Sequence, residues 1–136
     1  MARIVVIDTN VLISSIFWQR GSSHKIVELA IEQKINNFTS PNMLEELVKV
    51  LKVDFEQPEE FIQRQLKLVA DYSKVTTPKI NVQAIKDDPK DDMVVECALS
   101  CTAQFIITWD NHLLKLKQFK DIKIATPKEF INSVYI

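Results

Sequence analysis

The chain has 136 residues, 46% of them hydrophobic, which is enough to close one core and close to the commonest domain size, so a single domain over 1–136 is expected. Its 17 basic and 18 acidic side chains leave a formal charge of -1, so no global field draws it to nucleic acid, a membrane or an acidic partner. Met1-Ala2-Arg3 runs straight into a short apolar stretch, and nothing approaches the ~20 apolar residues of a membrane span, so a cytoplasmic protein with no membrane partner is expected.

Ile4 to Ile7 is an unbroken β-branched run, the pattern of a strand covered on both faces, with Asp8 at its end. A short helix is predicted over Val11–Trp18, and a polar stretch holding the chain's one glycine ends it. A second helix is expected from about Ser23 to Lys34, then a turn through Asn36-Asn37-Phe38-Thr39 into a short strand. Ser40-Pro41 reads as an N-cap with proline at the first helical position, opening a helix with Met43, Leu44, Leu47, Val50 and Leu51 on one face. Pro58 opens another helix, followed by a strand near Val75 and an ambiguous stretch over 80–85. The run Lys86 to Asp92 is a loop feeding a helix, with Asp88 as its cap and Met93, Val94, Cys97, Ala98 and Cys101 as its inner face. Phe105-Ile106-Ile107 is a second buried-type strand, followed by Asp110 and a short helix with Leu113, Leu114 and Leu116. The strand Ile122–Ile124 leads into Thr126-Pro127-Lys128-Glu129, a capping box that starts the last helix. Alternating strands and helices throughout predict an α/β sandwich with right-handed crossovers.

In open parallel sheets, functional groups gather beyond the carboxyl ends of the strands. Asp8 and Asp110 both follow strands, although aspartate there also serves as an N-cap. At ~100° per residue, Asp91 falls on the border of its helix's apolar face while Asp92 points away. By the same construction Glu46 lies at the margin of the Met43–Leu51 face and Glu45 on the far side, where a solvated acid is the plainer reading of either. Four acids at one sheet edge would repel unless a cation neutralised them, and an oxygen-rich set suits Mg²⁺ or Mn²⁺. Zinc does not fit, because His24 and His112 are far apart and Cys97 and Cys101 sit on an apolar helix face as reduced core thiols. A single glycine excludes a glycine-rich phosphate loop, and Asp8-Thr9-Asn10 lacks the second aspartate of an Asp-x-Asp phosphotransferase.

In order and spacing, Ile7-Asp8-Thr9-Asn10-Val11-Leu12, Ser40 through Glu46 to Val50-Leu51, Asp88-Pro89-Lys90-Asp91-Asp92 with Glu96-Cys97-Ala98, Thr108-Trp109-Asp110 with Leu113-Leu114, and Pro127-x-Glu129-Phe130 resemble the PIN-domain ribonucleases. Within that family they are similar to the subgroup of toxin components of toxin–antitoxin pairs. The resemblance implies a three-layer α/β/α sandwich with a central parallel sheet, and an acidic pocket for one or two divalent ions. It maps the family's acids onto Asp8, Glu46, Asp91 and Asp110, and places Asn10 and Thr108 in polar positions beside the metal. Trp109 departs from the pattern, since smaller residues are common there. An antitoxin partner and a homodimer are also implied.

The expected chemistry is therefore metal-assisted hydrolysis of RNA phosphodiesters, with Asp8, Asp91 and Asp110 as chief ligands and Glu46 orienting water or completing the shell. Arg20, Lys115 and Lys117, with Lys120 and Lys123, are the local candidates to hold the RNA backbone, although a solvated lysine face reads the same way. The competing readings are a DNA-directed nuclease with the same ions and a non-catalytic PIN-like module that binds RNA or protein. A receiver-like signalling domain is a weaker rival, because no convincing acceptor aspartate and lysine pair is found.

Overall fold

The β-branched run forms β1 (Arg3–Ile7) in the computed structural model, which describes residues 2–79 and 89–134, with side chains for 2–79 and 92–133. Asp8 caps α1 (Thr9–Phe17), and the Gly21 turn leads to α2 (Ser22–Ile31). Then follow β2 (Ile35–Thr39), α3 (Pro41–Lys49), a π-helical turn over Val50–Asp54, α4 (Glu59–Tyr72) and β3 (Ser73–Val75). Beyond the segment outside the description come α5 (Pro89–Ser100), β4 (Phe105–Ile107), α6 (Asn111–Leu114), β5 (Gln118–Phe119), β6 (Ile122–Ala125) and α7 (Pro127–Val134). The expected cap at Asp88 and the ambiguous stretch over 80–85 lie outside the described residues.

The strands form one sheet in the order β3-β2-β1-β4-β6-β5, parallel except for β5, which pairs antiparallel with β6. Alternation along β1 sends Val5 and Ile7 to one face, with residues of α1, α2, α4 and α7, and Val6 to the other, with α5 and α6. α3 contributes Leu47 to the first cluster and Met43 to the second. The result is the expected three-layer α/β/α sandwich. Phe130 of α7 is fully buried and meets Phe105 edge-on at 5.0 Å, and truncating the Phe130 side chain to alanine would cost about 3–5 kcal/mol.

Several local expectations hold for their physical reasons. Ser40 Oγ accepts from Met43 N at 3.3 Å with Pro41 at the first helical position, and Thr126 and Glu129 make a reciprocal capping box at 3.1 and 2.9 Å. With one glycine available, non-glycine residues take the left-handed positions that close helices: Gln33 (φ 61°) ends α2 and Thr102 (φ 56°) ends α5. Each has a backbone bond spanning the end, Lys34 N to Leu29 O and Ala103 N to Ala98 O, both 2.9 Å.

Two expectations are corrected. Asn36-Asn37 is not a turn but the middle of β2, because it pairs with β1 on one side and β3 on the other and the Asn37 amide adds bonds to both. Buried, it accepts from Ile7 N at 2.9 Å and donates to Ser73 Oγ at 2.8 Å, so one side chain ties β1, β2 and β3 together. The sheet also carries the antiparallel edge β5, whose two polar-to-half-buried residues left no hydrophobic signal.

Candidate active site

Asp8 follows β1 and is only 7% exposed. Its Oδ1 accepts from Thr9 N at 2.7 Å, the N-cap bond of α1, and its Oδ2 accepts from Thr108 Oγ1 at 2.8 Å and Asn10 Nδ2 at 3.4 Å. The N-cap reading and the site reading are thus both true of Asp8: the cap bond fixes the carboxylate's orientation at the sheet edge.

Thr108, just beyond β4 on the neighbouring strand, is fully buried and joins the site together. Its hydroxyl donates to Asp8 and accepts from Asp110 N at 2.9 Å and Asn10 Nδ2 at 3.4 Å, which is the full capacity of a hydroxyl group. Only serine or threonine offers that set, so Asp8 and Asp110 are held in fixed relation through one oxygen. Asn10 completes the arrangement by accepting from Trp109 N at 3.1 Å. Asp110 caps α6 through His112 N at 2.7 Å, and its side chain is partly exposed.

A cavity of about 280 Å³ opens at this edge, and Asp8, Asn10, Glu46 and Asp110 all line it. Its other walls are apolar: Ile13 of α1, Met43 of α3, Val50 and Phe55 around the π-helical turn, and Met93 and Val94 of α5. Glu46 thus reaches the cavity, whereas Glu45 is exposed and does not line it. The π-helical turn widens α3's exit just where Val50 lines the wall, a placement such turns often have. Asp91 lies in the first turn of α5, two residues before Met93, but its side chain is outside the description.

The sheet's carboxyl edge therefore gathers Asp8, Asn10, Glu46, Thr108 and Asp110. It does not gather Lys117, which lines a separate depression at the amino-terminal ends of the strands with Arg3, Gln104 and Lys123. Lys117, just before β5, and Lys123 of β6 sit together at the lateral edge of the sheet, where Ile124 N donates to Lys117 O at 3.0 Å and Gln118 pairs with Lys123. Lys115 is exposed just after α6, and Arg20 is exposed in the α1–α2 connection. The apolar walls at Ile13, Met43 and Phe55 escaped the sequence reading because helical periodicity assigns them to the core, and only the π-helical turn's position would have singled out Phe55.

The thiols take no part. Burial pushes Cys97 up to about 12, with Cys101 adding to the shift, and burial pushes Cys101 up to about 11, so both stay protonated as free cysteines. Among the described residues no helix is long and apolar enough to cross a membrane.

A parallel-centred α/β/α sandwich with an acidic cavity at its carboxyl edge defines the class. A family model described as the PIN domain matches residues 4–112, and the chain belongs to the PIN-domain family. It is 34% identical to an uncharacterized protein of Methanocaldococcus jannaschii over 139 aligned positions, covering 93% of this chain and 88% of that protein. Its fold is similar to that of VapBC2 from Rickettsia felis, solved bound to a DNA fragment from its promoter (TM-score 0.66, 16% identity, covering 90% of this chain and 98% of that one). It is also similar to the RRP44 PIN domain of T. brucei (TM-score 0.54, 12% identity, covering 99% and 82%). At those identities the likeness is one of fold. PIN domains are in general nucleases, which makes phosphodiester hydrolysis the chemistry to seek in this cavity.

Proposed function

We propose that the protein is a divalent-metal-dependent endoribonuclease whose site is Asp8, Glu46, Asp91 and Asp110, supported by Asn10 and Thr108. The observation that carries this is the shared cavity: three carboxylates from β1's end, α3 and the β4–α6 connection line one space, and α5, which bears Asp91, forms its wall.

The donor set suits a hard cation. Among the described residues the lining offers carboxylate, hydroxyl and amide oxygens and includes neither cysteine nor histidine. Among those residues no three His, Cys, Asp or Glu side chains are close enough to form a cage. Mg²⁺ and Mn²⁺ do not require one, because Mg²⁺ typically binds one or two carboxylates and keeps several waters. A cavity of about 280 Å³ has room for them, at roughly 30 Å³ per water.

When bound, the ion would supply a Lewis acid that polarises the scissile phosphate and favours deprotonation of an attacking water. Asp8, Asp91 and Asp110 would hold it. Glu46, facing the same space from α3, is placed to orient water and take its proton. Thr108 and Asn10 keep Asp8 and Asp110 in register so that neither must reorganise during the reaction. The apolar walls exclude bulk water and strengthen these electrostatic contacts.

The sequence resemblance to toxin components and the fold shared with VapBC2 support a toxin role with an antitoxin partner, and a homodimer in the cytoplasm rests on the sequence reading alone. Arg20 and Lys115 are the exposed cations assigned to the RNA backbone.

The test is to give labelled single-stranded RNA and DNA of equal length side by side, with Mn²⁺, Mg²⁺ or EDTA, and to follow the melting temperature under the same conditions. RNA cleavage with either metal, and a rise in melting temperature on adding Mn²⁺, are expected. Cleavage of DNA alone would transfer the activity to a DNA-directed enzyme. No cleavage and no thermal shift would overturn the metal site itself.

A further inference from the structure

Both tryptophans of the chain are exposed, Trp18 at 59% and Trp109 at 41%, and Trp109 is joined to the acidic cavity through its neighbour Asp110 and its backbone bond to Asn10, both of which line it. It is held in two places. Its indole Nε1 donates to Ser23 Oγ on α2 at 2.8 Å, and Ser23 is buried. Its backbone N donates to Asn10 Oδ1 at 3.1 Å, and Asn10 in turn bonds Asp8. The polar edge of the indole is thus committed to the protein, the ring cannot swing freely, and a large part of its surface stays in water. Exposing that much aromatic surface is unfavourable unless something covers it.

The surroundings say what kind of occupant fits. The residues that follow it, Asp110, Asn111 and His112, are polar and half-buried or exposed, and its indole bonds the Ser23 hydroxyl, so its bonded and adjacent partners are polar. A protein-docking surface is a contiguous apolar patch with a polar border, which this is not. A rigid, isolated ring next to an acidic phosphodiester site instead matches the requirement of an unpaired nucleobase, since every base has a π-face and stacking is tolerant of sequence.

We propose that Trp109 is the base-stacking residue of this site, taking one unpaired base of a single strand whose scissile phosphate lies over Asp8 and Asp110. The assignment rests on the nuclease reading above, and deepens it by naming the residue that engages a base beside the cut. Duplex, whose bases are already stacked on one another, is a poor ligand for this ring. Ser23 acts as a positioning residue, fixing the plane of the indole through Nε1.

The Trp18→Phe chain leaves Trp109 as the one tryptophan, so emission excited at the red edge, where the two tyrosines do not absorb, reports directly on the ring. This chain is titrated in EDTA, where no cleavage occurs, with a single-stranded RNA oligonucleotide and with an abasic strand of the same length. Quenching by the base-bearing strand and little by the abasic one is expected. Unlabelled affinities are then compared for the wild type, Trp109→Phe and Trp109→Leu, the last a smaller apolar residue without an aromatic face. The wild type is expected to prefer the base-bearing strand by about tenfold. Trp109→Phe keeps most of that preference, and Trp109→Leu binds the two strands equally.

Equal losses on both strands in Trp109→Leu, or the absence of quenching by a strand that does bind, would overturn the assignment and leave the ring to a protein surface. Cleavage by the wild type with Mn²⁺ in that case would show the nuclease reading intact and the stacking role alone wrong. A wild type that neither cuts nor binds any strand overturns both.

Discussion

At the carboxyl edge of the sheet the polar groups are buried and bonded to one another, while at the amino edge they are exposed. Asp8 and Thr108 are buried and Asn10 and Asp110 half-buried, joined through one hydroxyl oxygen. Arg3, Gln104, Lys117, Asp121 and Lys123 border the opposite depression and are all exposed. Charges of similar number have different consequences in the two places. Water and salt screen the exposed set, which contributes little to binding or stability. The buried set keeps its field and its geometry, and there a bound cation has the most to neutralise.

The largest expected break in this contrast is Asp8→Asn. Asparagine keeps an acceptor for the N-cap of α1 but sets an amide donor against Thr108 Oγ1 and Asn10 Nδ2, so the fold is retained at a cost of about 1–3 kcal/mol in stability. Metal-dependent cleavage is expected to fall by more than about 100-fold, and the thermal shift on adding Mn²⁺ to disappear. A loss of stability matching the loss of activity would mean that Asp8 is only a cap.

Thr108→Val should come next. It removes the donor to Asp8 Oδ2 and leaves the Asp110 N–H without its acceptor. A cost of about 1–3 kcal/mol in denaturant unfolding is expected, with a drop of about 10–100-fold in cleavage. Thr108→Ser should restore most of both, because the hydroxyl rather than the methyl group makes the bonds.

The smallest effect tests the other edge. Lys117→Ala should change cleavage by less than about twofold, since the side chain lines the amino-terminal depression. A large loss there, measured as a change in KM on single-stranded RNA, would mean that substrate wraps around the sheet and that the two edges act together.

Much of the fold can be read from local patterns. The β-branched runs at Ile4–Ile7 and Phe105–Ile107, the Ser40-Pro41 cap and the Thr126–Glu129 capping box are each within a few residues of the elements they specify. Asn36-Asn37 was unreadable for a definite reason: the polar pair has turn chemistry in isolation, and only Ile7 N and Ser73 Oγ, 30 and 36 residues away, make it a strand. Helical angle alone separated Glu46 from Glu45, and the cavity receives the one and not the other.

What the sequence by itself determined is the element order apart from β5, the strand ends that carry Asp8 and Asp110, and the helix margin that carries Glu46, because these depend on periodicity and capping between near neighbours. Tertiary structure alone decided that Thr108 joins Asp8 to Asp110, that Ser23 holds Trp109, and that Lys117 lines a depression separate from the acidic cavity. Those relations span up to 100 residues of chain. They exist only because β1 and β4, distant in sequence, lie side by side in the sheet and bring their ends to one place.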